Sequence, residues 1–154
     1  MDKPGIGLAL GAGAARGLAH IGVLQVLDAA GIKVEHVAGT SIGSLIGALF
    51  AAGVDLHKLE QVACSLRLKH VVDFVFVPGK GGVIRGQKLR ALLNTFLRDK
   101  TFADLKLPFA AVATDLLTGK EVVFREGLVV EALLASCAIP GVFVPVRSAG
   151  RVLV

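Results

Sequence analysis

Ser41 stands in the sequence Gly-Thr-Ser-Ile-Gly, residues 39–43, which has the spacing of a nucleophile elbow. A strand-like run (residues 34–38) precedes it, and an apolar, helix-like run (residues 45–52) follows it. At such a turn the serine backbone is strained, and the Oγ projects beside the helix N-terminus, where N–H groups stabilise developing negative charge. The pattern predicts a nucleophilic serine. The alternative is a glycine-rich turn in which the hydroxyl of Thr40 or Ser41 only caps the helix.

A second glycine-rich loop, residues 11–17, follows the strand-like residues 5–10 and precedes a helical pattern. Such a loop presents unpaired N–H groups to an anion, either a phosphate or an oxyanion. The dinucleotide fingerprint is nearly matched, but Arg16 replaces its last glycine, and Glu35 precedes the end of the second strand instead of following it. Nucleotide binding is therefore the weaker alternative.

Two strand–loop–helix units in succession predict an α/β fold, specifically a three-layer α/β/α arrangement with a mainly parallel central sheet. Loops that follow consecutive parallel strands open at the same carboxyl edge. The two loops would then face each other across one crevice, one supplying a nucleophile and the other N–H donors. Later patterns predict a helix from the cap Asp55 to about Leu66, an amphipathic helix over residues 87–97, a hairpin over residues 109–124 and a short helix over residues 131–136.

With these residues in view, the sequence resembles the patatin-like phospholipases, and in particular their bacterial members. The matching stretches are residues 7–10, 15–24, 38–43, 108–116 and 135–143. The resemblance covers nearly the whole chain and is weakest over residues 56–85.

The resemblance implies a serine acyl hydrolase, of the phospholipase A or lysophospholipase type, that cleaves lipid or carboxylic esters through a Ser/Asp dyad without a histidine. Ser41 is then the catalytic nucleophile, and no cofactor or metal is involved. The family's other roles fall on an oxyanion hole of Gly13, Ala14 and Arg16, an elbow of Gly39, Thr40, Ile42 and Gly43, and a glycine-rich loop completed by Gly11, Ala12, Ala15 and Gly17. The family's triple glycine is Ala-Gly-Ala in this chain, which keeps the backbone donors but narrows their allowed conformations.

The family's aspartate is expected directly after a strand like residues 150–154, where the sequence ends. We therefore expect residues 1–154 to be a single patatin-like domain, the N-terminal part of a longer one, and to be inactive in the 154-residue form. The alternative is a natural short form that is inactive or differently activated. A catalytically silent lipid-binding or regulatory domain is the alternative function. Asp115 matches a family position at the end of a strand, where its expected role is structural.

Histidines and cysteines carry no catalytic or metal pattern. The four histidines are His20, His36, His57 and His70, whereas the histidine of an α/β-hydrolase triad comes late in the chain. Cys64 and Cys137 have no metal-ligand spacing, and we expect both to be reduced and at least partly buried.

Composition bears on partners and location. Hydrophobic residues make up 54% of the chain and the mean hydropathy is +0.72, which fits buried parallel strands or a lipid-facing surface. The net charge of +5 favours peripheral contact with an anionic membrane beside the lipid or ester substrate. No nucleic-acid partner is predicted, because no binding motif is present and the chain has no Trp or Tyr for base stacking.

Two apolar segments could suggest other functions. The uncharged run of residues 37–54 is interrupted by glycines and is interpreted as strand, elbow and helix, not as a membrane span. Because the N-terminus has no signal-peptide pattern, a cytoplasmic location with peripheral membrane contact is predicted. Residues 71–82 end in a glycine-rich turn and are a candidate lid or acyl-chain contact, with a short strand or packed loop as the equal alternative.

Overall fold

The computed structural model describes residues 4–66, 73 and 84–154. The candidate lid, residues 71–82, lies outside the described residues except for Asp73. The Asp73 carboxylate accepts hydrogen bonds from the N–H groups of Gly86 and Gln87, both at 3.0 Å. It therefore satisfies backbone donors at the start of the helix that follows.

In the first part of the chain each strand is followed by helices. The last two described strands form a hairpin of their own. The strands are β1 (Ile6–Leu10), β2 (Val34–Thr40), β3 (Phe109–Thr114), β4 (Glu121–Phe124), β5 (Val146–Ser148) and β6 (Arg151–Leu153). The α-helices are α1 (Ala19–Ala29), α2 (Ile42–Ala51), α3 (Leu56–Ser65), α4 (Gln87–Leu97) and α5 (Val129–Ser136). Short 3₁₀ helices span Ala14–Leu18 and Phe102–Asp104.

The central sheet has the order β1-β2-β3-β4. β1 pairs parallel with β2 and β2 with β3, whereas β4 returns antiparallel to β3. The register places Leu8 beside Val37 and Val37 beside Phe109, so these apolar side chains share one face. The predicted α/β class with a mainly parallel sheet is confirmed.

Two of the described helices, α2 and α5, lie against this apolar face. Gly47 of α2 lies over Val37 and Phe109, and Ala135 of α5 packs with Ala113 of β3. α3 packs on α1, and α4 packs on α5. The layer buries the main hydrophobic core, in which each fully buried leucine or valine contributes about 1.5–3 kcal/mol to folding.

The opposite face of the sheet is the more accessible one. Ala9 and His36 are exposed there, and Ala38 and Ala110 are half-buried. These residues line a cavity of about 800 Å³. The described helices thus form one of the two helical layers that a three-layer α/β/α fold requires.

The hairpin β5–β6 is attached to the carboxyl end of β3. Thr114 and Val154 exchange backbone hydrogen bonds of 2.7 and 2.9 Å, and the N–H of Leu116 donates to the carbonyl of Val152 at 2.7 Å. Val154 therefore lies at the carboxyl edge of the sheet.

Local sequence signals agree with most of the predicted helix boundaries. The Asp55 carboxylate accepts the Lys58 N–H at 2.8 Å and caps α3, as expected. The helix predicted from residue 131 begins at Val129 instead, because two apolar residues of its first turn belong to the core. Glu131 on α5 pairs with Arg90 on α4, and this hydrogen bond lowers the pKa of the Glu131 carboxyl.

Candidate active site

Ser41 occupies the sharp turn between β2 and α2. Its backbone has φ 52° and ψ −125°, a region that side-chain-bearing residues rarely adopt. The first turn of α2 closes on it, because the N–H groups of Ser44 and Leu45 donate to the Ser41 carbonyl at 2.8 and 3.1 Å. The Ser44 hydroxyl donates to the same carbonyl at 2.7 Å. The conformation is the one expected of a nucleophile elbow.

The two glycines of the elbow are required by close packing. A Cβ atom at Gly43 would collide with the backbone carbonyl of Leu10 in β1. A Cβ atom at Gly39 would lie 2.5 Å from the carbonyl oxygen of Gly43. The glycine spacing therefore lets α2 pass directly over β1 and β2, and this fixes the position of Ser41 above the sheet edge.

Ser136, the last residue of α5, holds the elbow from the opposite side. The Ser41 N–H donates to the Ser136 Oγ at 2.8 Å, and the Ser136 hydroxyl donates to the carbonyl of Val112 in β3 at 2.6 Å. Ser136 is buried, so both bonds are shielded from water. Sequence reasoning missed this role. The available signal was a serine at the end of a helix whose other residues are mostly apolar.

The glycine-rich loop faces Ser41. Gly13 precedes the 3₁₀ helix, and Ala14 has a positive φ of 47°, so the chain turns sharply beside the elbow. The Arg16 N–H donates to the Gly13 carbonyl at 3.0 Å, and the Nε2 atom of His20 lies 2.9 Å from the carbonyl oxygen of Gly11. These bonds fix the loop at both ends.

A cavity of about 560 Å³ joins the elbow and the loop. The site residues predicted from the sequence that line it are Ala12, Gly13, Ala14, Thr40 and Ser41. Six others are not among its lining residues: Gly11, Ala15, Arg16, Gly39, Ile42 and Gly43. Gly17 also lies outside the lining, because it packs against the side chain of Ile42.

Asp115 and Val154 also line this cavity. The buried Asp115 carboxylate accepts the Leu117 N–H at 3.1 Å through Oδ1 and the Thr118 hydroxyl at 2.9 Å through Oδ2. Both oxygens therefore stabilise the β3–β4 turn, which is a structural role.

Cys137 lies beside the nucleophile. Burial raises the pKa of its thiol to about 11, and hydrogen bonds with the hydroxyls of Ser41 and Ser44 oppose this rise. The group is therefore a neutral thiol near neutral pH and is not positioned to act as a thiolate nucleophile. The prediction that both cysteines are partly buried is wrong for Cys64, which is exposed on α3.

The histidines are not assembled around Ser41 in the part of the chain that the structure describes. His36 lines the cavity on the open sheet face, and His57 lies on α3, 3.9 Å from the Glu60 carboxylate. His70 is outside the described residues. Among residues 4–66, 73 and 84–154, no cluster of metal-ligating side chains occurs, and no helix has the length and apolarity needed to cross a membrane.

Comparisons with known proteins identify the family of the chain. The chain is 38% identical, over 99% of its length, to an uncharacterized NTE family protein of Mycobacterium tuberculosis, and it spans 42% of that protein. It is 34% identical, over 91% of its length, to patatin-like phospholipase domain-containing protein 6 of Mus musculus, of which it spans 11%. The crystal structure of VipD from Legionella pneumophila superposes with a TM-score of 0.81 at 16% identity, over 96% of this chain and 44% of VipD.

The family model described as "patatin-like phospholipase" matches residues 8–154, which include most of β1, the glycine-rich loop, the elbow, Ser136 and Val154. The chain spans less than half the length of these relatives. By this match, the chain belongs to the patatin-like phospholipase family.

Proposed function

We propose that this chain carries the nucleophile and the oxyanion loop of a serine acyl hydrolase that cleaves lipid or carboxylic esters, of the phospholipase A or lysophospholipase type. The observation that carries the proposal is the strained backbone of Ser41, which opens onto the same cavity as the glycine-rich loop. Strain at a serine in this position is characteristic of sites in which the hydroxyl must project from the fold.

The reaction is acyl transfer through a covalent intermediate. The Ser41 Oγ attacks the ester carbonyl, and the backbone N–H groups around Gly13 and Ala14 hold the resulting oxyanion. A base takes the proton of the Ser41 hydroxyl and passes it to the departing ester oxygen, which leaves as an alcohol. Water activated by the same base then releases the acyl group as a carboxylic acid and restores the Ser41 hydroxyl. Each N–H donor that is lost from such a hole typically lowers the rate by about 10²–10³-fold.

Ser41 also needs a base, which we assign to an aspartate that follows Val154 in the complete protein. Val154 supports the assignment, because it lines the same cavity as Ser41 and is held there by two backbone hydrogen bonds with Thr114. A residue directly after Val154 would start at the cavity wall. Ser41 follows β2 and this aspartate would follow β6, so the two members of the dyad would meet in one site.

The alternative is a catalytically silent lipid-binding or regulatory domain. One observation favours it. Asp115 is the carboxylate among the described residues that line the cavity, and both of its oxygens are occupied by the β3–β4 turn. If no further acid reaches Ser41, the cavity can hold a lipid without cleaving it.

The test is hydrolysis of a short-chain aryl ester by the 154-residue chain and by a longer polypeptide that extends beyond Val154, each with Ser41→Ala beside it. We expect the longer polypeptide to turn over the ester. Ser41→Ala should lower kcat by at least about 10³-fold, because the reaction then has no nucleophile. The 154-residue chain should show little turnover.

Ser65→Ala is the matched control, because Ser65 is exposed on α3 and, among the described residues, its hydroxyl donates to the Val62 carbonyl of its own helix. It should leave kcat unchanged. Turnover that survives Ser41→Ala would contradict the proposal. Turnover by the 154-residue chain that Ser41→Ala abolishes would mean that a working base lies within these residues.

A further inference from the structure

Four large apolar side chains are exposed on two turns at the mouth of the Ser41 cavity. Leu116 and Leu117 lie on the β3–β4 turn and are 46% and 74% exposed. Ile139 and Val142 lie on the turn after α5 and are 47% and 38% exposed. Leu116 and Ile139 also line the cavity, so this apolar rim is continuous with the site.

The exposure of the apolar rim is built into two hydrogen-bonded turns. The Asp115 carboxylate accepts the Leu117 N–H at 3.1 Å, and the Asp115 carbonyl accepts the Gly119 N–H at 2.8 Å. The second turn closes with a 3.0 Å bond from the Val142 N–H to the Ile139 carbonyl. The apolar side chains are therefore presented outward by ordered backbone, at a cost in hydration that a binding partner would offset.

Positive charge flanks the apolar rim. Lys120 ends the β3–β4 turn, and its carbonyl accepts the Asp115 N–H at 2.9 Å. Arg151 precedes Val152, which pairs with Leu116, and Arg147 lies opposite Val152 in the β5–β6 hairpin. All three cations are exposed, and no carboxylate of the described residues forms an ion pair with them. Glu121 is the acidic residue next to this group.

We propose that the apolar rim docks on an anionic lipid surface, with Leu116, Leu117, Ile139 and Val142 inserted among the acyl chains and Lys120 and Arg151 against the headgroups. Apolar side chains ringed by cations are the combination that binds peripheral proteins to anionic bilayers. The inference rests on the proposed function, because it explains how an ester in a bilayer reaches Ser41. A protein partner seated on the same rim would close the mouth of the cavity.

The experiment is sedimentation with vesicles of phosphatidylcholine, with and without phosphatidylglycerol. Ser41→Ala is used as the background, so that no lipid is hydrolysed during the measurement. In that background Leu117→Asp and Val142→Asp are compared with Val26→Asp. Val26 is the matched control, because it is 68% exposed on α1, away from the cavity lining.

We expect Leu117→Asp to weaken binding to anionic vesicles by about tenfold or more, and Val26→Asp to leave it unchanged. Replacing both Lys120 and Arg151 by Gln should remove most of the preference for phosphatidylglycerol. Equal binding by the Leu117→Asp and Val26→Asp proteins would overturn the proposal, as would absence of vesicle binding. A dimer in solution that Leu117→Asp converts to a monomer would also overturn it, in favour of an interface between copies.

The outcome is separable from that of the proposed function. Hydrolysis of a soluble short-chain ester does not require a membrane. Vesicle binding without soluble-ester hydrolysis by the longer polypeptide that extends beyond Val154 would leave the docking surface standing and reject the hydrolase. If the soluble ester is hydrolysed but the rim substitutions leave vesicle binding unchanged, the hydrolase would stand and the docking surface would be rejected.

Discussion

Two cavities of the molecule differ in size and in chemistry. One lies on the open face of the sheet, and the other lies at its carboxyl edge. The sheet-face cavity has a volume of about 800 Å³ and is floored by small strand residues such as Ala9, Ala38 and Ala110. The edge cavity has about 560 Å³ but contains Ser41, the glycine-rich loop and Ser136. Under the proposed function the smaller cavity carries the reactive groups, and a choice by volume alone would have selected the other cavity.

The difference follows from what the backbone does in each place. Within the sheet, the N–H and C=O groups are consumed by the ladder between strands, and the side chains alternate between faces. At the carboxyl edge the strands end in loops and helix N-termini, whose N–H groups have no partner in the ladder. A serine there can be strained, projected and surrounded by donors, whereas a residue in mid-strand cannot.

The largest effect on stability is expected from filling the space between Gly43 of α2 and Leu10 of β1, on which the edge cavity depends. In Gly43→Ala the added methyl group would collide with the Leu10 carbonyl, and backbone has little freedom to yield. We expect a loss of about 3 kcal/mol or more in the free energy of unfolding. Hydrolysis should fall by at least about 10²-fold, because the elbow is displaced from the loop. Urea unfolding and ester turnover measure the two effects.

Gly22→Ala is the control for this substitution. Gly22 is exposed on α1, and apart from the local backbone of that helix no described atom lies within 4 Å of a Cβ built there. Alanine is the better helix former, so this change should stabilise the protein by about 0.5–1 kcal/mol. If Gly43→Ala were as well tolerated as Gly22→Ala, the close approach of α2 to β1 would not be what positions Ser41.

The elbow could be predicted from sequence, whereas its support from α5 could not. Residues 39–43 are local, because the glycine spacing, the strand before and the helix after all lie within one short segment. Ser41 and Ser136 are separated by 95 residues and meet only after β3 and α5 have packed. No periodicity encodes that meeting. The exposed Cys64 was missed for a related reason, since its side of α3 is decided by tertiary packing.

A smaller effect is expected from removing the Ser136 hydroxyl. In Ser136→Ala the Ser41 N–H loses its 2.8 Å acceptor within a partly buried site, and an unsatisfied donor of this kind costs about 1–3 kcal/mol. If the cost falls on the elbow geometry, kcat should decrease between about fivefold and a hundredfold. KM should change little, because Ser136 supports the nucleophile backbone. Steady-state kinetics of ester hydrolysis by the longer polypeptide that extends beyond Val154, with thermal unfolding beside them, measure this.

His36→Ala tests the other side of the comparison. His36 is exposed in the larger cavity on the sheet face, and its removal should change kcat by less than about twofold. A loss of activity in His36→Ala equal to that in Ser136→Ala would reverse the assignment and move the chemistry to the sheet face. A decrease confined to KM in Ser136→Ala would show that Ser136 acts on substrate binding instead.

Cys137, whose thiol is packed against Ser41 and Ser44, should affect stability only at high pH. Burial raises the pKa of this thiol from its ordinary value of 9.0 to about 11. Between these two values the folded chain keeps a proton that the unfolded chain has lost. The free energy of unfolding therefore decreases as the pH rises through this range, and the contribution of Cys137 is complete only below the lower value.

Cys137→Ala should remove this dependence on pH. Relative to that variant, the wild-type protein should lose on the order of 2 to 3 kcal/mol of stability between about pH 9 and about pH 11, because each unit of pKa shift corresponds to about 1.4 kcal/mol. Urea unfolding of both proteins across this range gives the difference, and Cys64 contributes equally to both. Parallel loss of stability in the two proteins would mean that the Cys137 thiolate is accommodated beside Ser41, and that the edge cavity is wetter and less preorganised than its packing implies.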